Sequence, residues 1–172
     1  MNGFSEPTFV LLSHFELLAP LMSDNIDVCS TQKGSLELQR KALRNTDQRV
    51  AEGRPVTPAF LLAALFWPAV THRCTALIAA GETPMQAMHS AGQQIVQTAC
   101  QRLTVPKRFS LAMRDIWDLQ PRLERMQPKK VRDLLAHRWF RAAFDLLLLH
   151  NGFKVFNDEF GAQIFEIELQ TP

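Results

Sequence analysis

The stretch AFLLAALFWPAV, from Ala59 to Val70, constrains the fold more than any other part of this sequence. It is too short to cross a bilayer, which takes about 20 consecutive apolar residues. Thr57 and Pro58 precede it in the order of a helix N-cap and a proline at the first helical position. The pattern predicts a buried core helix, and 172 residues are enough for one domain built around it.

Further start and stop signals predict helices along most of the chain. Thr83 and Pro84 repeat the Thr-Pro pair, and Gly53 with Pro55 forms a typical helix end. Apolar residues recur at helical spacing between these signals. The predicted helices are Pro7–Ala19, Ser35–Glu52, one from Pro58, one from Pro84, one capped by Ser110, a short one opened by Pro128, and His137–His150. The predicted fold class is all-α, an irregular multi-helix domain.

The last residues follow a different pattern. NGFKVFNDEFGAQIFEIELQTP, residues 151–172, begins with Asn-Gly, alternates apolar with polar residues and lacks a helical stripe. Asn-Gly is a frequent hairpin turn, so this segment suits a hairpin or a poorly ordered tail. We therefore predict a helical domain of residues 1–150 and a divergent, non-helical tail of residues 151–172.

Cysteine usage and the N-terminal residues indicate the cytoplasm. Cys29, Cys74 and Cys100 are odd in number and form no CxxC pair, which argues against a disulfide framework or a zinc site. Cys100 fits a small buried residue of an amphipathic helix. No signal peptide is evident at the N-terminus, and no membrane contact is expected.

No catalytic residue or metal site is predicted from the residues alone. Nucleotidyl transfer needs paired carboxylates that hold Mg²⁺. The nearest matches to such a site, Glu166-x-Glu168 and Gly34-Ser35, lie at opposite ends of the chain. P-loop, GxGxxG, HExxH and GxSxG motifs are absent. The five histidines stand singly, as surface or helix-end residues do.

Aromatic and apolar residues in the second half indicate packing. Trp67, Trp117 and Trp139 sit beside apolar positions and are interpreted as core anchors. On a helix that begins near Ser110, one stripe is expected to face the core. This stripe consists of Met113, Ile116, Gln120 and Leu123.

Positive charge is concentrated in one segment. Residues 101–145 carry eleven basic and five acidic side chains, a net of +6, against +2 for the whole chain. Such clustering is the expected footprint of a surface that binds a polyanion.

A solvated, salt-bridged helix would explain part of this charge. Arg114, Asp118 and Arg122 share one face, and Asp118 precedes Arg122 by the favourable four-residue step. Pro121 is expected to kink or break that helix. Several other cations have few carboxylates nearby in the sequence and are not explained by this ladder. Two interpretations therefore remain, a nucleic-acid-binding surface and a solvated helix face. These cations are Lys107, Arg108, Lys129, Lys130 and Arg132.

Four stretches resemble a known family. LRNTDQRV, VTPAFLLAALFW, VPKRFSLAMRDIWDLQPRLER and HRWFRAAFDLLLL are similar, in this order, to the part of bacterial poly(A) polymerases that follows the catalytic region. These enzymes are polynucleotide adenylyltransferases related to the CCA-adding enzymes. The resemblance runs from about Phe9 to Leu149.

The resemblance implies RNA binding. In this family a catalytic head uses ATP and Mg²⁺ to extend RNA 3′ ends, which marks RNA for decay, and helical body and leg regions follow the head. The chain resembles only the body and leg, so it is expected to hold no cofactor and to have no catalytic activity of its own. The implied partner is the 3′ end of single-stranded RNA. The residues that the resemblance assigns to RNA contact are Lys107, Arg108, Arg114, Arg125, Lys129, Lys130 and Arg132, and Trp117, Phe140 and Phe144 are implied to pack.

Two departures from the family leave alternatives open. The sequence turns acidic after His150, where the family continues with a charged helical stretch, and it begins inside the helical region. A truncated gene product fits these departures, and so does one part of a split enzyme whose head is a separate chain. A remnant or protein-interaction domain that no longer binds RNA is the remaining alternative.

Overall fold

The computed structural model describes residues 3–18, 22, 34–125 and 131–151, and within these ranges every regular element is an α-helix. The helices are α1 (Ser5–His14), α2 (Ser35–Ala51), α3 (Pro58–Ala79), α4 (Pro84–Arg102), α5 (Lys107–Glu124), α6 (Val131–Leu135) and α7 (Phe140–Asn151). The all-α prediction is confirmed. The predictions for Pro128 and for residues 152–172 fall outside the described residues, and the division at residue 150 stays a prediction.

The core helix predicted from the apolar run is confirmed, and it extends beyond that run. α3 has 22 residues, ten of which are buried, and it packs against α2, α4, α5 and α7. By length and composition alone it could cross a membrane, but half of its most apolar stretch is buried inside the protein. Apolar residues on all sides of a helix are typical of a helix surrounded by other helices.

The two Thr-Pro pairs start helices as predicted. Thr57 and Thr83 both have extended backbones directly before the prolines that open α3 and α4. Thr83 Oγ1 also accepts a hydrogen bond of 3.4 Å from the backbone N–H of Gln86, which is the contact expected of an N-cap. These starts are local features, and the sequence is sufficient to place them.

Two other predicted helix starts are wrong. Ser110 does not cap α5, because the helix begins at Lys107 and Ser110 Oγ donates to Lys107 O at 3.0 Å. Pro106, which lacks an N–H and has extended backbone, separates α5 from the preceding segment instead. α7 begins at Phe140 rather than His137, since the His137 ring accepts the N–H of Trp139 at 3.2 Å and so satisfies that donor outside a helix.

Packing decides two further predictions. Of the kink or break predicted at Pro121, the break does not occur, because α5 continues to Glu124 and Pro121 is buried, so core packing offsets the missing hydrogen bond. Cys100 is exposed rather than buried. It follows Ala99, which is buried, and one residue turns a helix by about 100°, which carries Cys100 off the core side of α4.

Trp117 joins the three longest core helices. It lies on α5 with no exposed surface, and its indole N–H donates to Ala63 O of α3 at 3.1 Å. On its other side is α4, where a Cβ added to Gly92 would lie 3.1 Å from Trp117 Cε3. Trp67 is also buried, so both are core anchors as predicted, whereas Trp139 is only half-buried.

The remaining packing predictions are confirmed. The predicted stripe of α5 is buried in full, and α7 turns its aromatic residues inward against α3 and α5. The buried residues concerned are Met113, Ile116, Gln120, Leu123, Phe140 and Phe144.

α1 is attached to α2 by polar contacts as well as by the packing of Phe9 on Leu43. The backbone N–H groups of Ser5 and Glu6 donate to the two carboxylate oxygens of Asp47 at 2.7 and 2.8 Å, so the neighbouring helix caps α1. Glu6 forms salt bridges with Arg40 and Arg44, and the hydrogen bond from Arg44 lowers the pKa of the Glu6 carboxyl. The large apolar side chains that this region leaves exposed are Phe4, Val10, Leu11, Phe15 and Leu17.

Gly92→Ala tests the close contact between α4 and Trp117. Alanine gains about 1 kcal/mol over glycine in a helix interior, but overpacking a core costs about 1 to 3 kcal/mol. Trp117 is buried and hydrogen-bonded, so it has little room to move away. We expect a net loss of up to about 2 kcal/mol in the free energy of unfolding, measured by urea denaturation. Gln93→Ala, at the exposed next position, should be neutral or stabilising; an equally harmless Gly92→Ala would show that the contact is loose.

Candidate nucleic-acid interface

α5 is amphipathic, and its solvent side is densely charged. Its buried side packs on α3, α4 and α7. At about 100° per residue, the opposite side presents a single band of mostly charged residues. This band consists of Lys107, Arg108, Leu111, Arg114, Asp115, Asp118, Arg122 and Arg125, of which only Arg114, Asp115 and Asp118 are half-buried and the others exposed.

Other helices and turns hold both carboxylates of this band. The four-residue ladder predicts that Asp118 pairs with Arg122, and this is wrong. Asp118 Oδ2 instead lies 2.9 Å from Nδ1 of His89 on α4. Asp115 Oδ2 accepts from Arg138 Nη2 at 3.4 Å. Because Asp115 and Asp118 contact neighbours, they do not neutralise the cations of their own helix at salt-bridge distance.

The cations of the band are accordingly left without salt bridges within the described part of the chain. We call this set the cationic stripe of α5; it comprises Lys107, Arg108, Arg114, Arg122 and Arg125. Arg108 also lies 4.8 Å from the ring centroid of Phe109, which supports its guanidinium by a cation–π contact.

The structure brings three of the predicted RNA-contact residues together along the length of α5, and a fourth at its end. Lys107, Arg108 and Arg114 share the solvent side, and Arg125 is exposed directly after the helix. Arg132 is exposed on α6. Lys129 and Lys130 fall outside the described residues.

Arg122 is a member of the stripe that sequence reasoning assigned to a salt-bridge ladder instead. It lies fourteen residues after Arg108, so the two are four turns apart on the same side of α5. Its ladder partner by spacing, Asp118, is engaged by a histidine 29 positions away in sequence. The spacing that places Arg122 on the side of Arg108 could be read from the sequence. That His89 contacts Asp118 follows only from the tertiary fold.

A buried polar contact fixes α5 against α7. Gln120 has no exposed surface, and its Nε2 donates to Ile116 O at 3.1 Å and to Ala143 O at 2.9 Å. These bonds orient the amide so that Gln120 Oε1 faces His150 Nε2 at 3.1 Å, and the histidine N–H is therefore the donor. The His150 ring also lies 4.7 Å from that of Trp67. This contact could not be predicted from the sequence, where His150 stands alone.

Burial lowers the pKa of His150 from 6.5 to about 4. The unfolded chain therefore takes up a proton near pH 6.5 that the folded chain resists until about pH 4. A group whose folded-state pKa is depressed in this way contributes less stability as the pH falls, and the loss accumulates between these two values.

His150→Gln removes this titration. We expect the wild-type protein to lose on the order of 2 kcal/mol of unfolding free energy from this group between about pH 7.5 and pH 5. The variant should lack that component, although it shares all other titrating groups. Denaturant unfolding of both proteins at each pH measures the difference. Parallel pH profiles would contradict the lowered pKa.

The described residues offer no site for a metal ion. No group of three or more His, Cys, Asp or Glu side chains in these ranges could hold one. Ser35 is the first residue of α2 and Gly34 precedes it with a φ of 103°, so this Gly-Ser pair opens a helix, as the sequence indicates. Glu166 and Glu168 lie outside the described residues. The exposed cations of α5 are thus suited to binding phosphate groups. The described residues offer no arrangement that would catalyse a reaction of these groups.

Comparison with known proteins gives a consistent set of matches. A family model described as the arginine-rich C-terminus of polymerase A matches residues 80–161. Poly(A) polymerase I of Escherichia coli is 37% identical over 151 residues, which are 86% of this chain and 32% of that protein. Poly(A) polymerase I of Salmonella typhi is 37% identical over 152 residues, with the same coverage. That of Haemophilus influenzae is 36% identical over 109 residues, 63% of this chain and 24% of the relative. The chain spans about a third of the length of the first two relatives.

Proposed function

This chain belongs to the bacterial poly(A) polymerase family, where it matches the C-terminal part, and we propose that it is an RNA-binding helical module of such an enzyme. The observation that carries the proposal is the cationic stripe of α5, which lies inside the matched arginine-rich region. Its partner is single-stranded RNA, bound near the 3′ end. A cytoplasmic location and the absence of membrane contact are part of the proposal.

Electrostatics supports RNA as the ligand. A cation without a salt bridge can bind a phosphate without first breaking a contact with a carboxylate. The free-energy cost of binding is therefore small at such a residue. Arginine presents a planar fork of donors that matches phosphate oxygens. Such contacts provide affinity and position but read no base sequence. The stripe therefore suits a protein that must hold RNA of many sequences.

We assign no adenylyl transfer to these residues by themselves. Transfer of an adenylyl group from ATP requires carboxylates that hold Mg²⁺, and the described residues contain no cluster that fits. In the proposal, the catalytic head of the family supplies ATP and Mg²⁺ binding, either in the same protein or from a separate chain. The module's contribution is to hold the RNA strand.

Binding of the full chain to a labelled oligoadenylate tests the proposal. If the five cations of the stripe each contact a phosphate, affinity should fall about a hundredfold between 50 and 200 mM salt, because single-stranded RNA releases about 0.7 counterion per contact. Fluorescence anisotropy at both salt concentrations measures this. Absence of binding at the lower concentration would refute the RNA-binding module and favour the remnant alternative.

Arg108→Gln combined with Arg114→Gln identifies the stripe as the binding surface. Each lost charge-assisted contact removes roughly 1.5 to 3 kcal/mol, so loss of both should lower affinity at low salt about a hundredfold or more. The slope of log affinity against log salt should become shallower by about 1.4.

The matched control for that double variant is Lys41→Gln with Arg73→Gln. These cations are exposed on α2 and α3, outside the stripe, and removing them changes the net charge by the same amount. The control should bind RNA nearly as the wild type does. Equal losses in both double variants would mean that only net charge matters, which would remove the stripe from the proposal.

One observation favours a second role, contact with another protein segment. α1 exposes several large apolar side chains, among them Phe4, Leu11 and Phe15, beside a groove of about 670 Å³ between α1, α2 and α3. Exposed apolar patches often mark interaction surfaces. A separate catalytic head is the partner that the family membership suggests, and co-purification of such a chain would support it.

A further inference from the structure

A second cationic region lies at the start of α7. A cleft of about 190 Å³ opens between α2, the turn after it, and the start of α7. We call it the Trp139 cleft. Its principal lining residues are Arg49, Phe60, Arg138, Trp139, Arg141 and Asp145. Three arginines and one aspartate meet there, so the cleft is net positive.

Each arginine of the cleft already has a partner inside the protein. Arg49 donates to Pro55 O at 3.3 Å, and its charge also acts on Asp145. Arg141 donates to Asp145 at 3.2 Å, and its side chain remains 63% exposed. Partial burial raises the pKa of Asp145, while the charges of Arg141 and Arg49 act in the opposite direction.

Trp139 supplies an aromatic surface to this cleft. It is half-buried, unlike Trp67 and Trp117, and it packs against the edge of the core. Arg138 lies over its ring, 5.3 Å from the centroid. The indole N–H of Trp139 is buried and has no acceptor within the described part of the chain. A half-buried indole with one apolar and one solvent-facing side suits contact with a ligand as well as packing.

Arg138 connects the cleft to α5. It hydrogen-bonds Asp115, which lies seven residues from both Arg108 and Arg122 and therefore on their side of α5. The cationic stripe and the Trp139 cleft are thus neighbouring parts of one positively charged surface.

We infer that the Trp139 cleft is a nucleotide subsite for single-stranded RNA, in which a base takes the place of the exposed Arg138 side chain over the Trp139 ring and the adjoining phosphate contacts Arg138 and Arg141. A positively charged track interrupted by aromatic platforms is how proteins hold single strands without reading sequence. The inference rests on the proposed RNA-binding function and extends it to a site outside α5.

The size of the cleft agrees with part of a polymer rather than a free small molecule. Pockets that enclose small ligands usually have volumes of roughly 300 to 1,000 Å³. A cleft of about 190 Å³ is too small for that. In the proposal, a single base of a strand enters it while the sugar and phosphate stay on the neighbouring surface.

Two measurements on the full chain with oligoadenylate test the subsite. Anisotropy of the labelled RNA reports total binding, and intrinsic tryptophan fluorescence reports stacking on Trp139. Trp67 and Trp117 are 5% and 0% exposed, so a base can reach only Trp139. We expect RNA to quench the fluorescence of the wild-type protein. Trp139→Leu, which keeps an apolar side chain against the core, should abolish the quenching and weaken binding by roughly 5- to 150-fold, the range for stacked aromatics.

A second variant avoids any loss of core packing. Arg138→Gln with Arg141→Gln changes side chains that are 73% and 63% exposed. It should weaken binding and flatten the salt slope by about 1.4, whereas Lys41→Gln with Arg73→Gln should not. Thermal melts confirm that each variant is folded.

The outcomes separate the subsite from the proposed function. The subsite would be overturned if the wild-type chain bound RNA without quenching. It would also be overturned if the folded Arg138/Arg141 variant bound RNA as tightly as the control variant does. Either outcome would leave RNA binding by α5 intact. Failure of the wild-type chain to bind RNA at low salt would overturn both. Quenching together with specific losses in both variants establishes the subsite.

Discussion

Burial of the Trp117 indole sets the arrangement of the core helices. A buried N–H must find an acceptor, and Trp117 reaches Ala63 O at 3.1 Å. That contact brings α5 close to the backbone of α3 at Ala63, and the ring leaves little room for a side chain at Gly92 on α4. The three helices therefore have little freedom to rotate about their axes. Once Trp117 points inward, the side of α5 that faces solvent is determined as well.

The charge distribution follows from this rotation. The carboxylates Asp115 and Asp118 lie on α5 where they contact Arg138 and His89 of neighbouring elements. Lys107, Arg108 and Arg122, on the same side of α5, are exposed and form no salt bridge with these carboxylates. Packing thus converts a helix of mixed charge into one whose exposed side is mainly cationic. The Gln120–His150 contact keeps α7 against α5. Because the Trp139 cleft lies at the start of α7, the same contact holds the cleft next to α5.

Local features of the sequence predicted much of the fold, and long-range contacts account for what it did not predict. The Thr-Pro pairs place the starts of α3 and α4 because capping involves residues only a few positions apart. The partner of Asp118 could not be inferred, because His89 competes from another helix. The Gln120 contact with His150 was equally hidden, since a glutamine in an apolar stripe gives no indication of its partner. For the site, the sequence and the family resemblance named most cations of α5. The sequence assigned Arg122 to a salt-bridge ladder and Trp139 to the core, and only the packing of the helices shows that both are accessible at the surface.

The two proposed RNA contacts differ in the physics on which they depend. Binding to the cationic stripe relies on counterion release, so it weakens steeply with salt. Stacking on Trp139 depends on contact between a base and an indole, so it is much less sensitive to salt. A strand held by both would retain its position at the aromatic platform while its phosphates exchange along the arginines. Neither contact reads a base sequence, so the two together suit a single strand of any sequence.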